Sequence, residues 1–254
     1  MGKIIAIANQ KGGVGKTTTS VNLTAALGEH KKKCLIIDLD PQANSTSGFG
    51  LERPDMAHSS YELIMGEGDV LSLVQPTQCP NVSMIPACME LAGADIELVS
   101  VENREMKLKN RIAVLRERYD YIIIDSQPSL GLLPINALCA ADTVLIPIQC
   151  EFYALEGLSQ LTSTIAKIKR LYNPMLEIEG VLMTMYDSRL NLTQEVAAQV
   201  KKYFPRQVFK TTIPRTVRLS EASSYGQPMA IFDKRNKGAV AYDSLAKELI
   251  KRNR

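Results

Sequence analysis

Ile4-Ile5-Ala6-Ile7-Ala8-Asn9-Gln10-Lys11-Gly12-Gly13-Val14-Gly15-Lys16-Thr17-Thr18 runs from a β-branched stretch through a glycine-rich turn into a helical pattern. A stretch that is apolar at every position reads as a strand covered on both faces. The glycines behind it let the backbone fold into a nest of N–H donors at a helix N-terminus, where a phosphate belongs. In that reading Lys16 reaches the β- and γ-phosphates and the Thr17 hydroxyl ligates Mg2+, while Gly12, Gly13, Val14, Gly15 and Thr18 complete the cradle. The usual pattern has a glycine separated by four residues from the Gly-Lys pair. Gln10 holds that place here, and the local form is K-G-G-x-G-K-T.

Working outward, five more short runs read as strands: Cys34–Leu39, Val82–Ile85, Tyr121–Asp125, Thr143–Ile148 and Ile178–Thr184. Helical patterns lie between and after them, at Thr17–Glu29, Ala92–Arg118 with a break near Val101, Leu130–Ala141, Leu155–Tyr172, Leu192–Tyr203 and Ala239–Arg252. This alternation predicts an α/β chain with a doubly wound, mainly parallel sheet flanked by helices, the P-loop NTPase fold. Residues 48–80 are less regular and read as an insertion with short helices. Gly28, Gly93 and Gly131 read as helix or loop punctuation. No Pro/Gly/Ser-rich linker divides the 254 residues, so residues 1–254 are expected to form one domain.

Composition narrows the function classes. Hydrophobic residues make up 45% and charged residues 22%, which excludes a disordered chain. No apolar run approaches the ~20 residues of a membrane span. Met1-Gly2-Lys3 leads straight into the first strand without a signal-peptide pattern, so a cytoplasmic location is expected. Five cysteines without C-x-x-C spacing and two histidines argue against a disulfide framework or a zinc site. The net charge is +3, but residues 181–254 hold 14 Lys and Arg against 6 Asp and Glu. That excess of +8 suggests a polyanionic partner.

Further residues bear on chemistry. Lys11 lies across the turn from Lys16, and Gly12 and Gly13 leave room for another backbone. The pattern suggests a second protomer docked face to face, with Lys11 crossing to its partner's phosphates as an activating cation. Asp38 and Asp40 close the second strand two residues apart, on one face. Carboxylates there can orient an attacking water or hold a metal's water shell. Asp125 follows four apolar strand residues, as a Walker B aspartate does, and would bind Mg2+ through water. The guanine motif N-K-x-D is absent: Asn236-Lys237-Gly238-Ala239 lacks the aspartate, so ATP is the expected nucleotide. In the basic third, Arg189, Arg215 and Arg218 fall in expected loops, and Lys201, Lys202, Lys247 and Lys251 on helices. No base-reading motif accompanies them, so any DNA contact would be to phosphates and independent of sequence.

These segments resemble the ParA/MinD group of deviant Walker A ATPases, and within it the chromosomal ParA (Soj) type. The resemblance runs over essentially the whole chain. It includes Lys11–Thr18, Leu35–Gln42, Tyr121–Asp125, Pro147–Gly157 with its Glu151-Phe152-Tyr153, and Ile213–Ala222. One departure is Gln127, where the family usually has a second proline before Pro128. The resemblance implies a slow, partner-stimulated partitioning ATPase, bound to the nucleoid. ATP and Mg2+ would close a homodimer that binds double-stranded DNA nonspecifically, and a ParB-type centromere-binding protein would stimulate hydrolysis. It further implies that Asp40 governs hydrolysis, that Met185 and Pro214 frame the base, and that Arg189 and Arg218 touch DNA. Three other readings share the nucleotide motifs. A MinD-type division regulator would add a C-terminal amphipathic helix and a membrane partner, a nitrogenase-type iron–sulfur reductase would need paired thiolates, and a small-molecule ligase would need its own substrate. The expectation is no membrane partner.

Overall fold

Strands apolar on both faces pair into one sheet in the computed structural model, which describes residues 1–129, 131–151 and 154–253. In chain order the elements are β1 (Lys3–Ile7), α1 (Lys16–Glu29), β2 (Cys34–Leu39), α2 (Asn44–Gly48), α3 (Ser60–Met65), β3 (Gln75–Pro76), β4 (Val82–Ile85), α4 (Leu91–Glu97) and α5 (Lys107–Ile112). There follow β5 (Tyr121–Ser126), α6 (Leu132–Ala140), β6 (Thr143–Gln149), α7 (Ala154–Leu171), β7 (Glu177–Thr184), α8 (Asn191–Tyr203), α9 (Val217–Ser224), α10 (Met229–Phe232) and α11 (Lys237–Arg252). Among the described residues seven strands form the sheet, in the order β3-β4-β2-β5-β1-β6-β7. All neighbours are parallel except β3, which pairs antiparallel with β4 at one edge.

Alternation along β1 splits the core into two layers. Ile5 and Ile7 join α1 and α11 on one face, with Leu23, Leu27, Tyr242, Leu245 and Leu249. Ile4 and Ala6 join the layer that holds α3 to α8 on the other. The last helix turns an apolar stripe inward: Tyr242, Leu245, Ala246 and Leu249 are buried and Ile250 half-buried. No helix among the described residues is long and apolar enough to cross a membrane.

The six expected strands are present, with ends shifted by a residue at most. The expected helix over 92–118 is broken more thoroughly than anticipated. It becomes α4, α5 and 3-10 turns at Leu98–Ser100, Arg104–Met106 and Ala113–Leu115, with Asn103 in the left-handed region at φ 52°. The insertion does carry short helices, and it also carries β3, a two-residue edge strand whose Pro76 has no N–H to donate. Leu130, the expected start of α6, and Phe152 and Tyr153 lie outside the described residues. Arg218 is not in a loop as expected but in α9, an eight-residue helix with only Leu219 and Ala222 buried, too few to leave a periodic signal.

Gly28 is a second correction. It sits inside α1 rather than punctuating its end, and a Cβ there would collide with the Pro80 carbonyl and the Val82 side chain. Helix and strand layer approach each other through that gap. Gly28→Ala is therefore expected to destabilise the fold by about 2 kcal/mol, a Tm lower by roughly 5 °C. Thermal unfolding checks this, and an unchanged Tm would show that the two elements separate at no cost.

Candidate functional site

The sheet order places the turn between β1 and α1 at the carboxyl ends of the strands, flanked by β5 and β6, where open α/β sheets bind ligands. Gly13 and Gly15 have φ of 73° and 86°, a backbone that glycine adopts without strain. Asn9 braces the turn, donating from Nδ2 to the Pro147 carbonyl at 2.7 Å and accepting from the Lys11 N–H at 3.0 Å. Thr184, at the end of β7, places its hydroxyl 2.7 Å from the Val14 carbonyl and 3.0 Å from that of Ile148. Gly12 and Gly13 are exposed, and a Cβ at either would meet nothing within 4 Å. The outer face of the loop is open to another molecule.

Lys16 is buried, and its Nζ donates to the Lys11 carbonyl at 3.1 Å. Burial pulls its pKa down, while the charges of Asp125 and Asp40 oppose that shift. Lys11 is half-buried, and its Nζ forms an ion pair with Glu151 at 2.7 Å, so its own chain holds it. Glu151 lies in a segment quoted for the resemblance, but its sequence position gave it no role.

Asp38 and Asp125 stand side by side in the β2–β5 register. The Asp38 carboxylate accepts from the Thr46 N–H at 2.9 Å, the Thr46 hydroxyl at 2.8 Å and the Asp40 N–H at 3.1 Å, which ties it to the start of α2. Asp125 accepts from Ser20 at 2.8 Å and Ser45 at 2.6 Å. Burial raises both carboxyls above the ordinary range. The charge of Asp125 adds to the rise at Asp38, whereas the Ser45, Ser20 and Thr17 hydroxyls counter the rise at Asp125. Asp40 is buried and accepts from the Gln42 N–H at 2.9 Å. Ser20 and Ser45 were not singled out from sequence, because a hydroxyl that bonds 105 or 80 residues away leaves no local pattern, and Thr46 carries no motif signal of its own.

The arrangement fits a nucleotide with magnesium. Lys16 is a buried cation whose hydrogen-bond partner is a neutral carbonyl, beside a glycine nest that a polyanion would complete. The donors around Thr17 and Asp125 are all oxygens. Among the described residues no three His, Cys, Asp or Glu side chains form a closed cage. Magnesium needs none, since it keeps waters and takes phosphate oxygens. Next to the loop lies a cavity of about 290 Å³ lined by Gly15, Thr18, Thr184, Met185, Pro214 and Arg215. It thus brings Met185 and Pro214 together. The Tyr186 N–H donates to the Ile213 carbonyl at 2.9 Å and fixes that wall.

The basic residues divide into two sets. Arg189 is gripped by Asp187, Nε to Oδ1 at 2.9 Å and Nη2 to Oδ2 at 2.7 Å, with its side chain 86% exposed. Arg218 pairs with Glu221 at 2.8 Å and Asp233 at 3.2 Å and covers the Phe232 ring. Lys247 pairs with Asp243. Lys201 and Lys202 on α8, Lys251 on α11 and Arg215 are exposed and have no carboxylate partner among the described residues. Lys237, which the sequence reading gave no role in binding, joins Arg189 and Arg215 around one open cavity with Tyr186 and Asp187.

An AAA domain family matches residues 2–178. The sporulation initiation inhibitor protein Soj of Bacillus subtilis is 54% identical over 249 residues, 98% of each chain. The chain belongs to the ParA/Soj family. The chromosome partitioning protein ParA of Myxococcus xanthus is 49% identical over 253 residues, all of this chain and 89% of that one. Among solved structures, cobyrinic acid a,c-diamide synthase from Mycobacterium smegmatis with bound ADP and magnesium superimposes with a TM-score of 0.86 at 35% identity, covering 99% of this chain and 95% of that one. In this ParA/Soj chain the five cysteines are free and buried, and burial pushes the Cys139 thiol up to about 12 and that of Cys150 to about 11. Such thiols are poor cluster ligands.

Proposed function

We propose that this chain is a chromosome-partitioning ATPase acting as one domain over residues 1–254, cytoplasmic and attached to the nucleoid. The phosphate loop carries the reading: a buried Lys16 on a left-handed glycine turn, beside a second lysine and two glycines that face outward. Lys16 and the loop N–H groups would hold the ATP phosphates. Thr17 and Asp125 would hold Mg2+ with its waters, Asp38 would set the neighbouring loop through Thr46, and Asp40 would position the attacking water. Met185 and Pro214 would frame the adenine. Two copies would close on ATP through Gly12 and Gly13. Lys11 would then exchange Glu151 for the partner's phosphates, a stronger anion at a less solvated site. The closed dimer would bind double-stranded DNA nonspecifically, and a ParB-type protein would stimulate hydrolysis and release.

On the proposed DNA surface Arg189 and Arg218 must leave their carboxylates for phosphates. Both pairs are exposed, and exposed pairs are weak. Arg215 and Lys237 line one open cavity with Arg189, and Lys201, Lys202, Lys247 and Lys251 are the further candidates for phosphate contacts. The test is fluorescence anisotropy of duplex DNA without nucleotide, with ADP and with ATP, at several salt concentrations. Binding is expected with ATP alone, weakening steeply as salt rises. Arg189→Ala and Arg218→Ala should each lower the log–log salt slope by about 2, one phosphate per protomer in the dimer. Unchanged slopes with intact ATP-driven dimerisation would remove these arginines from the interface. Binding that ignores the nucleotide would overturn the switching role.

A further inference from the structure

The turn that follows Asp125 is held from a distance by one carboxylate. β5 ends at Ser126, and the next residue, Gln127, donates from Nε2 to Asp95 Oδ2 at 2.9 Å. Asp95 Oδ1 accepts from the backbone N–H of Leu133 at 2.9 Å. Gly131 precedes α6 and has no side chain to cap it, so the cap arrives from α4, 38 residues earlier. Gly131 also makes the space for it: a Cβ there would lie 2.6 Å from Asp95 Oδ2. Both flanks of the turn therefore rest on Asp95.

The helix that carries Asp95 is itself tied to the loop after β2. Just before α4, the Ala87 N–H donates to the Thr46 hydroxyl at 3.0 Å, and that hydroxyl donates to Asp38. Leu91, Ala94 and Leu98 are fully buried and fix the helix on the core. β2 and β5, which carry Asp38 and Asp125, are adjacent strands, so the segment from Ala87 to Asp95 links α2, which follows β2, to the turn that follows β5. Asp95 touches none of the residues assigned to phosphate, metal or base. Its reach is through Gln127 and the Leu133 N–H.

We propose that Asp95 is a positioning residue for ATP hydrolysis, holding the turn after Asp125 in the place where turnover requires it. The inference rests on the ATPase reading above. A carboxylate that orients a site from outside it typically changes activity by about 10–100-fold when removed. Because the ATP phosphates are held elsewhere, by Lys16 and the glycine turn, affinity is expected to stay nearly constant.

The experiment uses the full chain with ATP and Mg2+. It measures steady-state phosphate release, ATP affinity by calorimetry, and hydrogen exchange at the Leu133 amide. Asp95→Ala is expected to lower kcat about tenfold, with ATP affinity within about twofold of wild type and faster exchange at Leu133. Gln127→Leu removes one of the two bonds at a half-buried surface turn and leaves the helix cap in place, so it keeps the test open if Asp95→Ala folds poorly. It is expected to lower kcat in the same direction. The double variant should be no slower than Asp95→Ala alone, since both changes remove the same contact. Asp95→Asn keeps an oxygen for the Leu133 N–H and an amide to pair with Gln127, and should restore most of the rate. Wild-type turnover in Asp95→Ala, or faster exchange at Leu133 with kcat unchanged, overturns the proposal, the second because Asp95 would then be a helix cap only. A parallel loss of ATP affinity also overturns it, by placing Asp95 in binding. A wild-type chain that releases no phosphate overturns the ATPase reading itself, and this inference with it.

Discussion

Lys16→Ala is expected to lower ATP affinity by about 100-fold or more. The residue is only 6% exposed, and the hydrogen-bond acceptor of its ammonium is the neutral Lys11 carbonyl at 3.1 Å. A buried cation in that state has lost hydration without a full return, which is why burial pulls its pKa down despite Asp125 and Asp40. On the proposed reading a triphosphate would supply the missing counter-charge. Each charged hydrogen bond is worth about 1.5–3 kcal/mol, and two of them to phosphate oxygens reach the ~3 kcal/mol that a 100-fold change needs. The same reasoning gives a second, opposite-looking result. Without nucleotide the alanine variant should be no less stable than wild type, because the costly buried charge is gone. Calorimetry reads the first effect and thermal unfolding with and without ATP the second. Tight ATP binding by the variant would disprove the phosphate-loop assignment.

Asp40→Ala is expected to reduce phosphate release by at least about 100-fold while ATP still binds, since a positioned base or water-orienting group contributes about 10²–10⁴ in rate. Asp40 follows directly on β2, is buried, and lies close enough to Lys16 to bias its charge. The variant should therefore accumulate as the ATP-closed dimer. One complication is structural: the Asp40 carboxylate also accepts the Gln42 N–H, and losing that bond costs about 1 kcal/mol. Asp40→Asn retains an acceptor for Gln42 and removes the charge. If both variants stall hydrolysis with ATP bound, as light scattering and a phosphate assay would record, the charge is responsible. If Asp40→Asn hydrolyses normally, Asp40 serves the loop and not the reaction.

The strands were readable because a parallel sheet with helices on both faces favours apolar residues along most of each strand, and β2 is buried at all six of its residues, with Asp38 near its carboxyl end the exception in polarity. The glycine turn between β1 and α1 was readable because its signal is local: glycines, a lysine and a threonine in one turn of chain. What escaped is non-local or short. α9 has two buried residues and no period to detect, so Arg218 was placed in a loop. Gly28 reads as punctuation until Pro80 and Val82 are seen packed against it. The pairs Arg189–Asp187 and Arg218–Glu221 show the same limit for charge, since the surplus of +8 over residues 181–254 does not reveal which cations are already engaged. Ser20, Ser45 and Asp95 act on residues 105, 80 and 32 positions away.

The central place of β1 also governs how the chain is made. Lys3 pairs with Tyr121, and β6 closes the other side of β1 still later. At about 5–20 residues per second, the ribosome delivers these partners on the order of 10 s after β1 has emerged. The covering helix α11 is completed only at Arg252. Through that interval the apolar segment with Ile4, Ile5 and Ile7 lacks both of its native strand partners, and such segments are prone to associate with other nascent chains. The phosphate loop acquires its shape only when Thr184 and Pro147 arrive to brace it. A truncated chain ending before β7 would therefore carry the whole nucleotide motif and still lack the geometry to hold a nucleotide.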